Sequence, residues 1–283
     1  MVFRGLWTSQ RVLCQRIFAD DMARIPFSKW QGTGNDFIVV DDRRGGFPSD
    51  DQVLVRRLCD RHFGVGSDGL ILLQGPKAPG TAYHMEFFNP DASRSFCGNG
   101  SRCAFAFYST LPIGHPQGTL RFTAIDGEHT ASSVEGLISI GMKEVKGIER
   151  ISGHLDFIHT GSPHLLVWVD DPEAIDIVPT AHVHRYGERF NKEGVNVNFV
   201  RWHKGAIEMR TYERGVEGET LSCGTGVTAA ALSAMGRGLA AGSCTVRTRG
   251  GDMLVSASVD GQGFRSITLA GPASHVFNGE WEA

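Results

Sequence analysis

The chain has 283 residues, 41% hydrophobic and 21% charged, with a formal net charge of −3. That composition excludes a disordered chain and allows one large domain or two of ordinary size; the weak charge offers no general attraction for nucleic acid or an anionic membrane, so a small molecule is the expected partner. No run approaches the roughly 20 apolar residues of a membrane-spanning helix, and six scattered cysteines without paired zinc-ligand spacing argue against a metal centre or a disulfide scaffold and for a reducing cytoplasm.

In chain order, the first 24 residues stand apart. Arg4, Arg11 and Arg16 occur with no acidic residue before Asp20. This is the composition of a targeting presequence, and also of an upstream start ahead of Met22, so residues 1–24 are set aside as an extension. Phe37–Val40 and Leu70–Leu73 read as short buried strands. Between them, Ser49-Asp50-Asp51-Gln52 forms a capping-box pattern that predicts a helix to about Arg61, with Val53, Leu54 and Leu58 on its buried side. Tyr83–Phe88, Leu120–Ala124 and Leu137–Ile140 follow as strands, with Gly127 and Gly136 bounding turns. The second half offers strands at Leu165–Val169, Val195–Val200, Ala206–Tyr212, Cys244–Thr248, Met253–Val259 and Ser266–Leu269.

Two further segments break this pattern. Cys103–Tyr108 and Val227–Leu232 are apolar or small all round, and a helix without a polar face must be enclosed on every side. Each follows a cysteine–glycine motif, Cys97-Gly98-Asn99-Gly100 or Cys223-Gly224-Thr225-Gly226, and is stopped by Pro112 or Gly236. The motifs lie 126 residues apart. Gly34–Val40 reappears as Gly161–Val167, Arg61 as Arg189, and Tyr83–Asn89 as Ile207–Glu213, all at nearly that spacing. The sequence therefore predicts an α+β fold of two pseudo-symmetric duplicated halves, each a curved, barrel-like β-sheet around a central helix.

A helix N-terminus presents unpaired N–H groups and the positive end of its dipole. Glycines beside the cysteine let that backbone approach a carboxylate, and the same field is expected to pull the thiol below its free pKa of roughly 8.5. Two such motifs facing one cleft place a sulfur on each side of one carbon, which suits inversion of a stereocentre.

Gln31–Phe37, Phe88-Asn89-Pro90-Asp91, Cys97–Cys103, Gly194–Phe199, Tyr212-Glu213-Arg214-Gly215 and Glu219–Gly226 together resemble the diaminopimelate epimerase family, from about Phe27 to Phe277. The resemblance implies cofactor-independent interconversion of LL- and meso-diaminopimelate in lysine and peptidoglycan precursor synthesis. It makes Cys97 and Cys223 the acid/base pair, with His164 and Glu213 tuning them. Gly98, Asn99, Gly224 and Thr225 bind the reacting carboxylate through backbone N–H groups, and Asn35 positions the reacting end. Asn89, Asn196, Glu213 and Arg214 read the distal amino-acid head. It also returns the last strand to the first half, giving halves of 25–142 plus 271–283 and 143–270; a homodimer is left open. Two positions depart from the pattern: Ser162 stands where many members have asparagine, and Gly69 where many have glutamine. A racemase of the same fold acting on histidine, proline or hydroxyproline is the nearest rival, disfavoured by Glu213-Arg214. A protein whose two cysteines form a switchable disulfide is the rival from another class.

Overall fold

A computed structural model describes residues 24–112, 118–261 and 263–282. Nearly all of the N-terminal extension lies outside the described residues. The first half runs β1 (Arg24–Gly32), β2 (Asn35–Asp41), α1 (Gln52–Cys59), β3 (Gly69–Gln74), β4 (His84–Phe88), α2 (Gly98–Thr110), β5 (Leu120–Ala124), β6 (Gly127–Val134) and β7 (Leu137–Gly141). The second runs β8 (Glu149–Ser152), β9 (Leu155–His159), β10 (Pro163–Trp168), α3 (Ile177–Arg185), β11 (Asn196–His203), β12 (Ala206–Glu213), β13 (Gly218–Thr220), α4 (Gly224–Gly236), β14 (Ser243–Thr248), β15 (Gly251–Asp260) and β16 (Gly263–Gly271). The last strand is β17 (Ser274–Glu282).

The strand pairings carry the duplication. In the first half β1 is antiparallel to β2, β2 parallel to β3, β3 antiparallel to β4, and β4 parallel to β5, which opens the meander β5–β6–β7. In the second, β9, β10, β11, β12 and β14 repeat those relations in the same order before the meander β14–β15–β16. Each parallel pair is bridged by a helix, as parallel strands require. Register repeats as well: Phe37 faces Gly69 where His164 faces Asn196, both displaced by 127 positions. His84 faces Thr123 where Glu208 faces Arg247, both displaced by 124. The halves join where β7 pairs with β16, and β17 pairs with β1.

Both central helices form where expected, but their surroundings differ. All but two residues of α4 are buried, and its Ala229, Ala230, Ala231 and Leu232 pack into one core with Leu166, Val200, Val246 and Val255. In α2, Asn99–Phe105 are buried, whereas Phe107 and Tyr108 are partly exposed near the surface. Fully buried Arg102 ties this helix to both ends of the half, donating from Nη2 to Thr33 Oγ1 (3.0 Å) and from Nε to the Pro272 carbonyl (3.3 Å).

The first short helix corrects the sequence reading. Its cap is Asp51, whose Oδ1 accepts from the Val53 and Leu54 amides at 3.0 Å, rather than Ser49. That shift rotates the helix, so Val55, Leu58 and Cys59 face the core while Val53 is 73% exposed. Sequence patterning also passed over β1, β6, β8, β9, β13 and α3.

Candidate active site

Cys97 and Cys223 are the N-cap residues of α2 and α4, and both border one cleft of ≈ 610 Å³ between the halves. The two helix starts are close neighbours. Leu269 packs against both, near Gly98 and Gly224, and Asn99 Nδ2 donates to the Ser222 carbonyl at 3.5 Å. Asn35, Asn89, Gly98, Asn99, Glu213, Gly224 and Thr225 border the same cleft. Asn196 and Arg214 instead line an adjoining cavity of ≈ 500 Å³, which shares Ser95, Phe96, Glu213, Cys223 and Thr225 with the first. Thus Asn89 borders the cleft that holds both sulfurs, while Asn196 and Arg214 are on the Cys223 side. His164 lines neither cavity and is fully buried behind Thr225.

Each side chain has an identifiable support. Asn35 Nδ2 donates to Asp68 Oδ2 at 2.6 Å, and Arg61 Nη2 bridges Asp68 and Asp36 at 2.6 and 2.7 Å. Buried Lys29 pairs with Asp36 at 2.6 Å. Burial acts upward on Asp36, but hydrogen bonds from Arg61 and Lys29 outweigh it and hold the carboxyl down at about 2. Asn89 Nδ2 donates to Ser93 Oγ at 2.9 Å. Asn196 Oδ1 accepts from the Arg214 amide at 2.9 Å, while its Nδ2 donates to the Pro163 carbonyl (3.0 Å) and Ser162 Oγ (3.2 Å). Arg214 Nη1 donates to the Glu193 carbonyl at 2.7 Å, and Gly194, with φ +74°, keeps that path open because a Cβ there would lie 2.6 Å from Arg214 Cδ.

The two departures have physical explanations. A Cβ at Gly69 would fall 2.3 Å from the Phe87 ring, so the aromatic contact of Phe87 with Phe37 fills the space beside it. Ser162 places Oγ 2.9 Å from His164 Nε2 and 3.1 Å from Thr225 Oγ1. The shorter side chain thus joins a network behind Cys223.

The expected depression of the thiol pKa values is not found. Burial pushes Cys97 up to about 11, against the Gly100 amide that donates to its Sγ at 3.3 Å. Burial, followed by the negative charge of Glu213, pushes Cys223 up to about 12, against the Thr225 hydroxyl 3.5 Å from its sulfur. Loss of water outweighs the helix terminus at both sulfurs, because a thiolate leaving water loses more than a few amide contacts restore. Glu213, itself raised by burial, bonds Thr220 Oγ1 at 2.9 Å and acts on both thiols. Its influence therefore falls at the sulfurs.

Solved structures share this architecture at low identity. A hydroxyproline epimerase from Agrobacterium vitis superposes with a TM-score of 0.65 at 16% identity, covering 91% of this chain and 92% of that one. A PhzF-family phenazine biosynthesis protein from Bacillus anthracis gives 0.66 at 12%, covering 92% and 99%. These likenesses establish the fold alone. Sequence relatives are nearer. The chain is 42% identical over 253 residues to the diaminopimelate epimerase of Flavobacterium psychrophilum, covering 88% of this chain and 97% of the relative. It is 37% identical to that of Aquifex aeolicus, covering 89% and 96%. The family model for diaminopimelate epimerase matches residues 27–121 and 157–276, and the chain belongs to the diaminopimelate epimerase family.

Proposed function

We propose that Cys97 and Cys223 are the two acid/base groups with which this isomerase epimerises diaminopimelate at its α-carbon. The observation that carries the reading is the pairing of two N-cap thiols on one cleft at the starts of neighbouring helices. One thiolate removes the α-proton, and the opposite thiol returns a proton to the other face. The developing carbanion is stabilised by the N–H groups at the two helix starts, where the burial of Asn99, Ser222 and Cys223 strengthens them. Gly98, Asn99, Gly224 and Thr225 hold the carboxylate there, and Asn35 orients the reacting end.

Because both thiols are held protonated near neutral pH, the first step needs help from the bound molecule. A substrate ammonium beside Glu213 offsets the carboxylate that raises both sulfurs. Arg214 and Asn196 receive the distal head in the adjoining cavity, with Asn89 acting from the cleft that holds both sulfurs. The same reading divides the chain into 25–142 plus 271–283 and 143–270, supported by the pairing of β17 with β1. The reducing cytoplasm expected from the cysteines is its natural setting; no helix among the described residues is long and apolar enough to cross a membrane.

The test is early-time exchange in deuterated water with purified, reduced protein and no added cofactor. Product should carry solvent deuterium at the inverted carbon while recovered substrate stays unlabelled. Equal early labelling of both would overturn the two-thiol assignment.

A further inference from the structure

The polar network behind Cys223 has no counterpart behind Cys97. By the repeated register, His164 corresponds to Phe37 and Asn198 to Ile71, and the 124-residue offset relates Thr211 to Phe87. Phe37, Ile71 and Phe87 are buried and apolar, whereas His164, Asn198 and Thr211 are buried and hydrogen-bonded. Three polar groups in a core cost stability unless every one is satisfied, so their presence in one half alone calls for a chemical use.

Their bonds run in one direction. Asn198 Nδ2 faces the Leu165 carbonyl at 3.2 Å, which can only accept, so the amide nitrogen is on that side. Thr211 Oγ1 donates to Asn198 Oδ1 at 3.1 Å and holds the amide the same way round. The amide nitrogen therefore also donates to His164 Nδ1, 3.1 Å away. With Nδ1 accepting, the neutral ring carries its proton on Nε2, which lies 2.9 Å from both Thr225 Oγ1 and Ser162 Oγ. Ser162 Oγ already accepts from Asn196 Nδ2 and is 3.1 Å from Thr225 Oγ1. Thr225 Oγ1, supplied with donors on two sides, has its own proton left for Cys223 Sγ at 3.5 Å. Gly226 makes this approach possible, since a Cβ there would lie 2.6 Å from Asn198 Oδ1 and 3.3 Å from His164 Nδ1.

We propose that Asn198 is a positioning residue that locks His164 as the Nε2–H tautomer, so that the Thr225 hydroxyl donates to the Cys223 sulfur and favours its thiolate, an assistance Cys97 lacks. The inference rests on Cys223 being an acid/base group, as proposed above. Burial keeps His164 neutral, down at about 3, so the ring acts by its tautomer and not by charge. The charged and titratable groups facing this set are Glu213 and Cys97 around Cys223, and His159 and Arg214 around His164. Each thiol then has a different means of support: Cys97 has the Gly100 amide, and Cys223 has a hydroxyl relay in addition to its helix start.

The experiment has two readouts on the full chain, neither needing turnover. Nitrogen-15 NMR of the His164 imidazole reports which ring nitrogen is protonated. Site-resolved alkylation by iodoacetamide, followed against pH by mass spectrometry, reports the ionisation of Cys223 and Cys97 separately. Wild type should show protonated Nε2 and bare Nδ1. Asn198→Leu and Thr225→Val should each slow alkylation of Cys223 about tenfold at a given pH, the loss expected of one hydrogen bond to a charged atom. Cys97 should stay within about twofold under the same logic, and Thr225→Ser should restore Cys223. Should Asn198→Leu fail to fold by circular dichroism, Thr211→Val frees the same amide and should give a smaller change in the same direction. A proton on Nδ1 in wild type, equal slowing of both cysteines, or a Thr225→Val protein with the wild-type profile would each overturn the relay. Retained epimerisation in Cys223→Ala would instead overturn the proposed function, whatever the alkylation shows.

Discussion

Cys97 and Cys223 stand in almost the same backbone conformation, φ −131°, ψ 113° and φ −122°, ψ 111°, each in the extended position just before the first turn of a central helix. The repeated topology has carried two thiols to equivalent points, so that they differ in surroundings more than in geometry. If they are equivalent in chemistry too, neither is dispensable.

Replacing either cysteine with alanine is therefore expected to stop epimerisation in both directions. Loss of one proton-transfer group removes at least the ~10²–10⁴-fold ascribed to general acid–base catalysis. Comparing kcat/KM for the LL and meso forms in each variant checks this. Near-normal turnover in either variant would take that residue out of the mechanism.

Glu213→Gln is expected to move the ionisation of both thiols to lower pH. The carboxylate charge raises Cys97 and Cys223, so neutralising it removes a repulsion felt by each thiolate. The rising limb of kcat/KM against pH, which reports the free enzyme, should shift in the acid direction whatever happens to its height. This separates Glu213 from the relay, which acts on Cys223 alone. An unmoved limb with unchanged alkylation of both sulfurs would contradict it.

Much of this arrangement was legible in the chain because it is local. The Cys-Gly-x-Gly starts, the all-apolar runs after them and the stops near Pro112 and Gly236 need only neighbouring residues to be read, and α2 and α4 form there. The repeat was legible because register follows from it. What escaped depends on partners far away in sequence. Strand β17, expected from the family resemblance alone, is mostly exposed and shows no clean alternation, and only its pairing with β1 makes it a strand. The competition between Ser49 and Asp51 for the α1 cap shifts the helix face by two residues, enough to expose Val53. The motif displays its amides while concealing the burial that opposes them, so both thiols lie above the range the sequence suggests. Asn198 lies within the Gly194–Phe199 motif but has no role legible there, since its meaning arises only where β10, β11 and α4 meet.

His164 leads to a stability prediction whose sign follows from linkage. Its folded pKa, about 3, is below the usual 6.5, so the unfolded chain binds a proton that the folded one refuses. Stability is therefore lost as pH falls below about 6.5 and continues to fall toward 3. His84 and His184 act in the same sense through burial, and Glu213, raised in the fold, acts in the opposite one. Asp36 contributes only lower down, between the ordinary carboxylate range and about 2. Melting temperatures of wild type and His164→Gln from pH 7 to pH 4 should converge as the pH drops, since glutamine takes up no proton. Parallel curves would mean that His164 titrates freely in the fold.

Arg214 is expected to decide which amino acids are accepted. It lies against the Glu193 carbonyl, with its path kept open by Gly194, and lines the cavity that also holds Asn196. A guanidinium there is matched to a carboxylate, whose two oxygens its fork can take together. Diaminopimelate offers such a carboxylate at its distal end, and lysine differs only in lacking it. A ligand that leaves the Arg214 guanidinium and buried Asn196 without their carboxylate partner is disfavoured by ~10²-fold, the upper range for a hydrogen bond between charged groups. Wild type should therefore turn over lysine very poorly, and histidine and proline no better. Arg214→Ala should lower kcat/KM for diaminopimelate by ~10²-fold, the upper range for a hydrogen bond between charged groups. It should change lysine far less, because lysine never used the contact. The ratio between the two substrates should thus collapse while the melting temperature holds, since Arg214 is exposed and supports no core. If diaminopimelate and lysine instead fell together, Arg214 would be acting on the reacting end. If histidine or proline matched diaminopimelate in wild type, the two-thiol chemistry would stand and the distal reading by Asn89, Asn196 and Arg214 would not.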